Sequence, residues 1–312
     1  IVTSISGDIN VILGARFVQG IGSSAGMVLA RAMVRDISSG KQAARLMSFL
    51  VMVFTAAPMI APLLGAYLVT AWGWQLPFIA TTLAGALLLV GIRTSLRETH
   101  RPSNKTGIWM QFRHSLTTLA AQRQSVFGII VILTTISGIM AIISGSSALV
   151  IEIYDFPVQH FGYIFAMTGL AILFGSFINR RLLHRFEPLQ MIGVGAIIVS
   201  ITGAQLVFIA WLGQAGFWWV WANVCLFMCG TAFLLPNATA LALEPVPEIA
   251  GVAASVIGTA QSLAGAASAI INSTLYTGTI LNVTIGVGVS GLLVGVIFLF
   301  RHVVLRREHP EG

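Results

Sequence analysis

Charge is scarce in this chain. Only 9% of its 312 residues are Asp, Glu, Lys or Arg, against roughly a quarter in an ordinary soluble domain. With 56% apolar residues, there is too little polar material to cover a soluble surface, so the bulk of the chain belongs in lipid. The same composition excludes disorder, coiled coil and a disulfide-rich secreted domain. There are two cysteines, Cys225 and Cys229, one helical turn apart, with no metal-ligand spacing. All six histidines (His100, His114, His160, His184, His302 and His309) fall in loops or at the ends of apolar runs, and no H-E-x-x-H occurs. None of the ten acidic residues lies in the middle of an apolar run. An enzyme embedded in the membrane therefore has nothing to work with, and no metal or cofactor is expected. Gly22 to Gly26 match G-x-S-x-G literally, but inside an apolar run rather than at a strand-to-helix turn. The opening residues 1–6 are not expected to be a signal peptide, since they have no charged n-region and no small-residue cleavage site. The chain opens at Ile1 in what reads as an apolar run already under way, so its true N-terminus is expected to be absent.

What is present is a series of long apolar runs. Nine are long enough to cross roughly 30 Å of hydrocarbon as helix: 10–33, 45–70, 75–93, 126–151, 160–183, 189–212, 216–242, 250–275 and 281–301. If Ile1 starts outside, the inner segments hold 16 of the 17 Lys and Arg residues, and Arg16 sits inside a run. The net charge of +7 is therefore a topology signal and does not point to nucleic acid. Asp8, Glu152 and Asp155 fall outside, and six of the seven tryptophans lie near the outer ends, where an aromatic belt belongs. The C-terminus is then cytoplasmic. Boundaries follow at 1–93, 94–125, 126–305 and 306–312. Within 94–125, Ile108, Trp109, Phe112, Leu116 and Leu119 share one helical face beside Arg113 and Arg123. This is either an amphipathic helix on the inner leaflet or an irregular tether.

Several residues in the spans stand out. Arg16, in LGARFVQGIG, either faces a partner or a wet cavity, or snorkels to the outer surface. Pro58 and Pro62, one turn apart with Gly65 following, are expected to bend the second span. Ala57, Ala61, Gly65 and Ala66 form a small-residue strip there. GSFINRRLLHRF carries Gly175, Asn179, Arg180, Arg181 and Arg185, read as either a topogenic cluster or a gate. Pro236 is expected to break the seventh span and to leave Asn237 at depth, with Asn223 near the same face. Gly251, Gly258 and Gly265 recur every seven residues in the eighth span, for sliding or for static packing. Glu244 ends the seventh span on the side of Arg180 and Arg185, and an ion pair is expected there. Asn272-Ser273-Thr274 and Asn282-Val283-Thr284 fit a glycosylation sequon that matters only in a secretory pathway.

These motifs resemble those of the major facilitator drug:proton antiporters, closest to the bacterial bicyclomycin-resistance and chloramphenicol-efflux group. LGARFVQGIG resembles the fourth-span motif, with Arg16 as its arginine. APMIAPLLGA resembles the antiporter motif of the fifth span, with Pro62 and Gly65 matching and alanines at other glycine positions. GSFINRRLLHRF resembles the second-half loop motif, with Asn179 where Asp is frequent. The resemblance implies an all-α polytopic fold with nine of twelve transmembrane helices present, spans four to twelve. It places Arg16, Gln19, Asn223 and Asn237 beside the substrate, with Met140 and Ser144 near it. It places Arg35, Asp36, Asn179, Arg180, Arg185 and Glu244 at a cytoplasmic gate. The implied cargo is a small lipophilic or cationic molecule exchanged for protons across the bacterial inner membrane by a monomer. The alternative is a symporter or facilitator of a polar nutrient on the same fold. The proton-binding carboxylate is implied in the first span, so this chain alone is not expected to pump.

Overall fold

The structure, a computed structural model, describes residues 1–38, 40–95, 108–213 and 215–301. Every element among them is helical: α1 (Val2–Ile5), α2 (Ile9–Ile37), α3 (Gly40–Trp72), α4 (Leu76–Ser95), α5 (Ile108–Ala121), α6 (Arg123–Ser147), α7 (Val158–Leu182), α8 (Pro188–Leu212), α9 (Phe217–Leu243), α10 (Ala250–Thr274) and α11 (Leu281–Leu299). A π-helical segment, Ala148–Ile153, continues α6, and a 3₁₀ turn, Pro247–Ile249, leads into α10. Lipid offers no partner to a free backbone group, so helices that satisfy their own are the form such runs must take. The starts and stops are local chemistry. The Asp8 carboxylate accepts from the Asn10 amide at 2.8 Å to open α2. Glu187 and Gln190 form a capping box before α8, with Pro188 in its first turn. Gly213, at φ 71°, takes the left-handed turn that ends α8.

Among the described residues, nine helices of 19 residues or more fall within a turn or two of the nine apolar runs. Counted over the described residues alone, six stretches are long and apolar enough to cross a membrane: Leu76–Ser95, Arg123–Ile153, Val158–Leu182, Pro188–Leu212, Phe217–Leu243 and Val252–Thr274. The expected nine is not reached by that measure. α2 carries Arg16 and a charged C-terminal end, and the apolar parts described in α3 and α11 are the shorter Ile60–Trp72 and Val283–Leu299.

The chain divides into two compact units. One comprises Ile1–Asn104 with Val158–Ala166; the other comprises Lys105–Pro157 with Met167–Gly312. In the first, α1 packs on α2 and α4. α3 runs unbroken through both prolines. The Pro62 carbonyl and the Leu63 Cα each lie 3.0 Å from where a Cβ on Gly162 would sit. Pro58 has its side chain outside the described residues, and a Cβ on Gly65 would meet open space.

The second unit holds the dense core. Trp221, Phe127, Phe227, Ile132 and Leu206 are fully buried. Glycines let its helices touch: a Cβ on Gly128 of α6 would lie 2.7 Å from the Ala238 carbonyl oxygen of α9, and one on Gly203 of α8 would lie 2.7 Å from that of Gly288 in α11. α9 also runs unbroken through Pro236, against the expectation of a break. The missing N–H of Pro236 falls on the Ala232 carbonyl, and the polar side chains that follow bond back one turn to other carbonyls, Asn237 Nδ2 donating to that of Phe233 and Thr239 to that of Leu235, each at 2.7 Å. The segment 108–121 is a helix rather than a tether. Its Leu119 is buried in a cluster with Val246, Ala253 and Val256, so this end of the helix is held by protein.

Candidate functional site

In the first unit, Arg16 sits two turns into α2. A guanidinium at that depth needs company. One of its N–H groups donates to Gln19 Oε1 at 2.8 Å, and its Cζ stands 5.6 Å from the centre of the Phe78 ring of α4. Gln19 and Phe78 also line a cavity of about 660 Å³ between α1, α2 and α4, with Thr81 and Thr82 on its wall. Both threonine hydroxyls donate to the Phe78 carbonyl at 2.9 Å. Two of the four expected cavity residues are thus joined, and the arginine's other N–H groups have no hydrogen-bond partner among the described residues.

In the second unit, Asn237 and Asn179 come together. Asn237 Nδ2 donates to Asn179 Oδ1 at 2.8 Å, and the two side chains are 2% and 5% exposed. Asn237 is therefore bonded to a residue expected at the gate and is enclosed by protein. Asn223, at 5% exposure, donates through Nδ2 to the Trp219 carbonyl at 2.9 Å. Its Oδ1 is buried and accepts nothing among the described residues. An orphaned acceptor of this kind costs about 1–3 kcal/mol, so Asn223 holds an open demand for a donor. Replacing Asn237 with leucine leaves Asn179 Oδ1 in the same position. We expect a loss of about 1–3 kcal/mol in thermal unfolding, most of it regained when Asn179 is also made leucine. Additive losses in the double variant would show that the two amides do not act as a pair.

The expected ion pair of Glu244 with Arg180 is not formed, nor one with Arg185. Gln124 of α6 donates to Glu244 Oε2 at 2.7 Å and to the Leu241 carbonyl at 3.2 Å. The close approach of α6 and α9 explains this: Ser125 Oγ donates to the Ala242 carbonyl at 2.8 Å, which brings Gln124 to the carboxylate. Arg181 stacks on Phe177, 4.3 Å from its ring centre. The side chains of Arg35 and Asp36 lie outside the described residues. Met140 and Ser144 both meet α10: a Cβ on Gly265 would lie 2.9 Å from Met140 Cγ, and Ser144 Oγ accepts from Asn272 at 3.1 Å. From the turn after α10, Tyr276 donates to Glu152 of the π-helical segment at 2.7 Å. That hydrogen bond, with some burial, raises the Tyr276 phenol above its ordinary range, so it stays a donor. Gln124 and Asn272 were not foreseen. Asn272 shows in the sequence only as a sequon, three residues from the end of an apolar run.

The sequence matches the Major Facilitator Superfamily over residues 1–269. The chain belongs to this superfamily. Among curated facilitators, it is 32% identical over 252 residues to the bicyclomycin resistance protein homolog of Haemophilus influenzae, covering 80% of this chain and 63% of that one. It is 26% identical over 279 residues to multidrug resistance protein D of Escherichia coli K12, covering 86% and 66%. The chain spans less than two thirds of the length of these relatives. Among solved structures, it resembles a bacterial homologue of the human lysosomal transporter Spinster, in an inward-facing and unoccupied conformation. The TM-score is 0.60 at 15% identity, covering 88% of this chain and 72% of that one. This likeness is one of fold, and it fits the all-helical facilitator architecture described above.

Proposed function

We propose that this facilitator chain is the greater part of a proton-coupled exporter of the bacterial inner membrane, which expels small lipophilic or cationic molecules by alternating access. In this reading its nine long helices are spans four to twelve of a twelve-span carrier. Residues 1–93 belong to the first six-helix bundle, 94–125 are a cytoplasmic linker, 126–305 are the second bundle and 306–312 a cytoplasmic tail. Arg35, Asp36, Asn179, Arg180, Arg185 and Glu244 then line the cytoplasmic end. Pro58, Pro62 and Gly65 mark the helix whose motif sets export apart from uptake.

The observation that carries the reading is Arg16. It is a permanent charge within α2, held by a neutral amide and an aromatic face. A cation with no counter-ion among the described residues suits a site where a carboxylate or a cargo comes and goes. The relatives named for bicyclomycin and multidrug resistance support drugs as the cargo class. Inside-out proteoliposomes holding the full-length gene product test this. Adding a lipophilic cation such as tetraphenylphosphonium, under an acid-inside gradient, is expected to alkalinise the lumen as protons leave in exchange. Acidification of the lumen would mean symport, and no proton movement with any cargo would remove the coupling altogether.

A further inference from the structure

A second cavity lies wholly within the second unit. α10 and α11 each run along α6 but barely touch one another. The space between them, floored by α6, is about 510 Å³, within the roughly 300–1,000 Å³ of small-molecule sites. Leu133, Ile271, Val289 and Leu293 give it aliphatic walls, and no charged side chain lines it among the described residues.

Its polar groups share one property. Five polar side chains reach the wall: Thr134, Ser137, Ser268, Asn272 and Ser290. Every donor among them is already committed. Thr134 donates to the Ile130 carbonyl at 2.9 Å and Ser137 to that of Leu133 at 2.9 Å. Ser268 donates to the Ser137 carbonyl at 2.6 Å, and Ser290 to that of Val287 at 3.3 Å. Asn272 has two amide hydrogens, and it gives them to the Ala141 carbonyl and to Ser144 Oγ, each at 3.1 Å. What the wall has left to offer is acceptor lone pairs alone.

The strongest of these acceptors is Asn272 Oδ1. Asn272 is 7% exposed, and its oxygen accepts no hydrogen bond among the described residues. Gly286 keeps it uncovered: a Cβ there would lie 3.3 Å from Oδ1 and 3.0 Å from the Ala141 Cβ. An apolar chamber with acceptors and no free donors discriminates by chemistry. It welcomes a ligand that donates, and it leaves the oxygen of an ether, ketone or ester facing other oxygens. The absence of a carboxylate gives a cation no counter-charge.

We propose that the cavity between α6, α10 and α11 binds an uncharged lipophile carrying a hydroxyl or phenol, which donates to Asn272 Oδ1. The site is separate from the export reading, because it lies in one unit and is detected by binding alone. The ligand has two possible sources, a neutral hydroxyl-bearing lipid of the bilayer or a lipophilic solute, and both meet the same chemistry.

The probe is a diazirine-bearing dodecanol, compared with its methyl ether, on the unmutated full-length protein in phosphatidylethanolamine–phosphatidylglycerol nanodiscs. Photolabelling by the alcohol is expected on peptides covering residues 133–141, 264–275 and 285–293. The ether should label them about tenfold less, the equivalent of one hydrogen bond. Filling the chamber from its exposed rim, with Ala267→Phe or separately Leu293→Trp, should remove the label while leaving the melting temperature in place. Lipid extracted from protein purified without added alcohol distinguishes the sources. A hydroxyl-bearing lipid retained by the parent and lost in Ala267→Phe identifies the bilayer; an empty site that takes up added alcohol identifies a solute. Equal labelling by alcohol and ether would overturn the proposal, as would label spread over other apolar surfaces and unchanged in both rim variants.

Discussion

Replacing Gly291 with leucine is expected to leave almost no folded, monodisperse protein after solubilisation. A Cβ on Gly291 would land on the Val199 carbonyl oxygen of α8, with the Gly203 Cα 3.2 Å away. The neighbouring crossing is just as close, since a Cβ on Gly288 would sit 2.9 Å from the Gly203 carbonyl oxygen and 3.2 Å from the Val207 nitrogen. These obstacles are backbone atoms. No rotamer change relieves them, so α8 and α11 must move apart along a seam that closes much of the second unit. Overpacking costs about 1–3 kcal/mol where side chains can yield and more where they cannot, against a total stability of about 5–15 kcal/mol. Gly291→Ala should be folded but melt lower. Gly258→Leu is the control: a Cβ there meets nothing within 4 Å, so its effect should stay within about 0.5 kcal/mol. Fluorescence-detected size exclusion and thermal unfolding in the same detergent read all three. A Gly291→Leu protein that elutes and melts like the parent would contradict the seam.

The glycine comparison also shows what was legible in the sequence. The helices were, because a run of apolar residues in lipid has one stable form and charges mark its ends. Contacts between helices were not. Gly251, Gly258 and Gly265 stand at regular spacing and suggested a close-packed edge. Yet Gly258 faces open space and Gly265 meets the flexible Met140 side chain. The tight crossing is at Gly203, Gly288 and Gly291, where GVGVSGLLVG also sets Gly288 and Gly295 seven residues apart, so spacing alone did not tell the packed repeat from the open one. Spacing tells which residues share a face; which partner helix lies against that face is set by the tertiary arrangement. The same gap explains Glu244 and Pro236. A carboxylate near arginines in sequence suggested an ion pair, but the helix that reached it brought Gln124. A proline expected to break α9 sits inside an unbroken helix. Of the expected site, the local pair Arg16 and Gln19 was legible because three residues of helix place both on one face. The pair Asn179 and Asn237 was not, because 58 residues separate them.

Arg16→Ala is expected to reduce cargo-driven proton movement to the level of protein-free vesicles, while the protein folds and melts as before. The two halves of this expectation have separate grounds. Arg16 is exposed in α2 and holds one side-chain hydrogen bond, to Gln19 at 2.8 Å, so truncating it opens no cavity and should change stability by less than about 1 kcal/mol. Its charge is a different matter. A guanidinium stays protonated at every physiological pH and presents five donors in a fixed fork. Only one is committed to Gln19, and the Phe78 face beneath it adds attraction without consuming another. The remaining fork can engage a carboxylate on two oxygens, lowering its pKa while engaged and releasing it to take up a proton when the contact breaks. Lysine keeps the charge and loses the fork, so Arg16→Lys should retain a fraction of the rate. Gln19→Leu should fall between the two, because it frees the guanidinium to swing toward Phe78 and away from its present direction. The readout is the initial rate of lumen alkalinisation in the proteoliposomes, normalised to folded protein by thermal unfolding. If Arg16→Ala is folded and alkalinises at the parent rate, the proton passes elsewhere, and Arg16 is a snorkelling cation with no share in coupling.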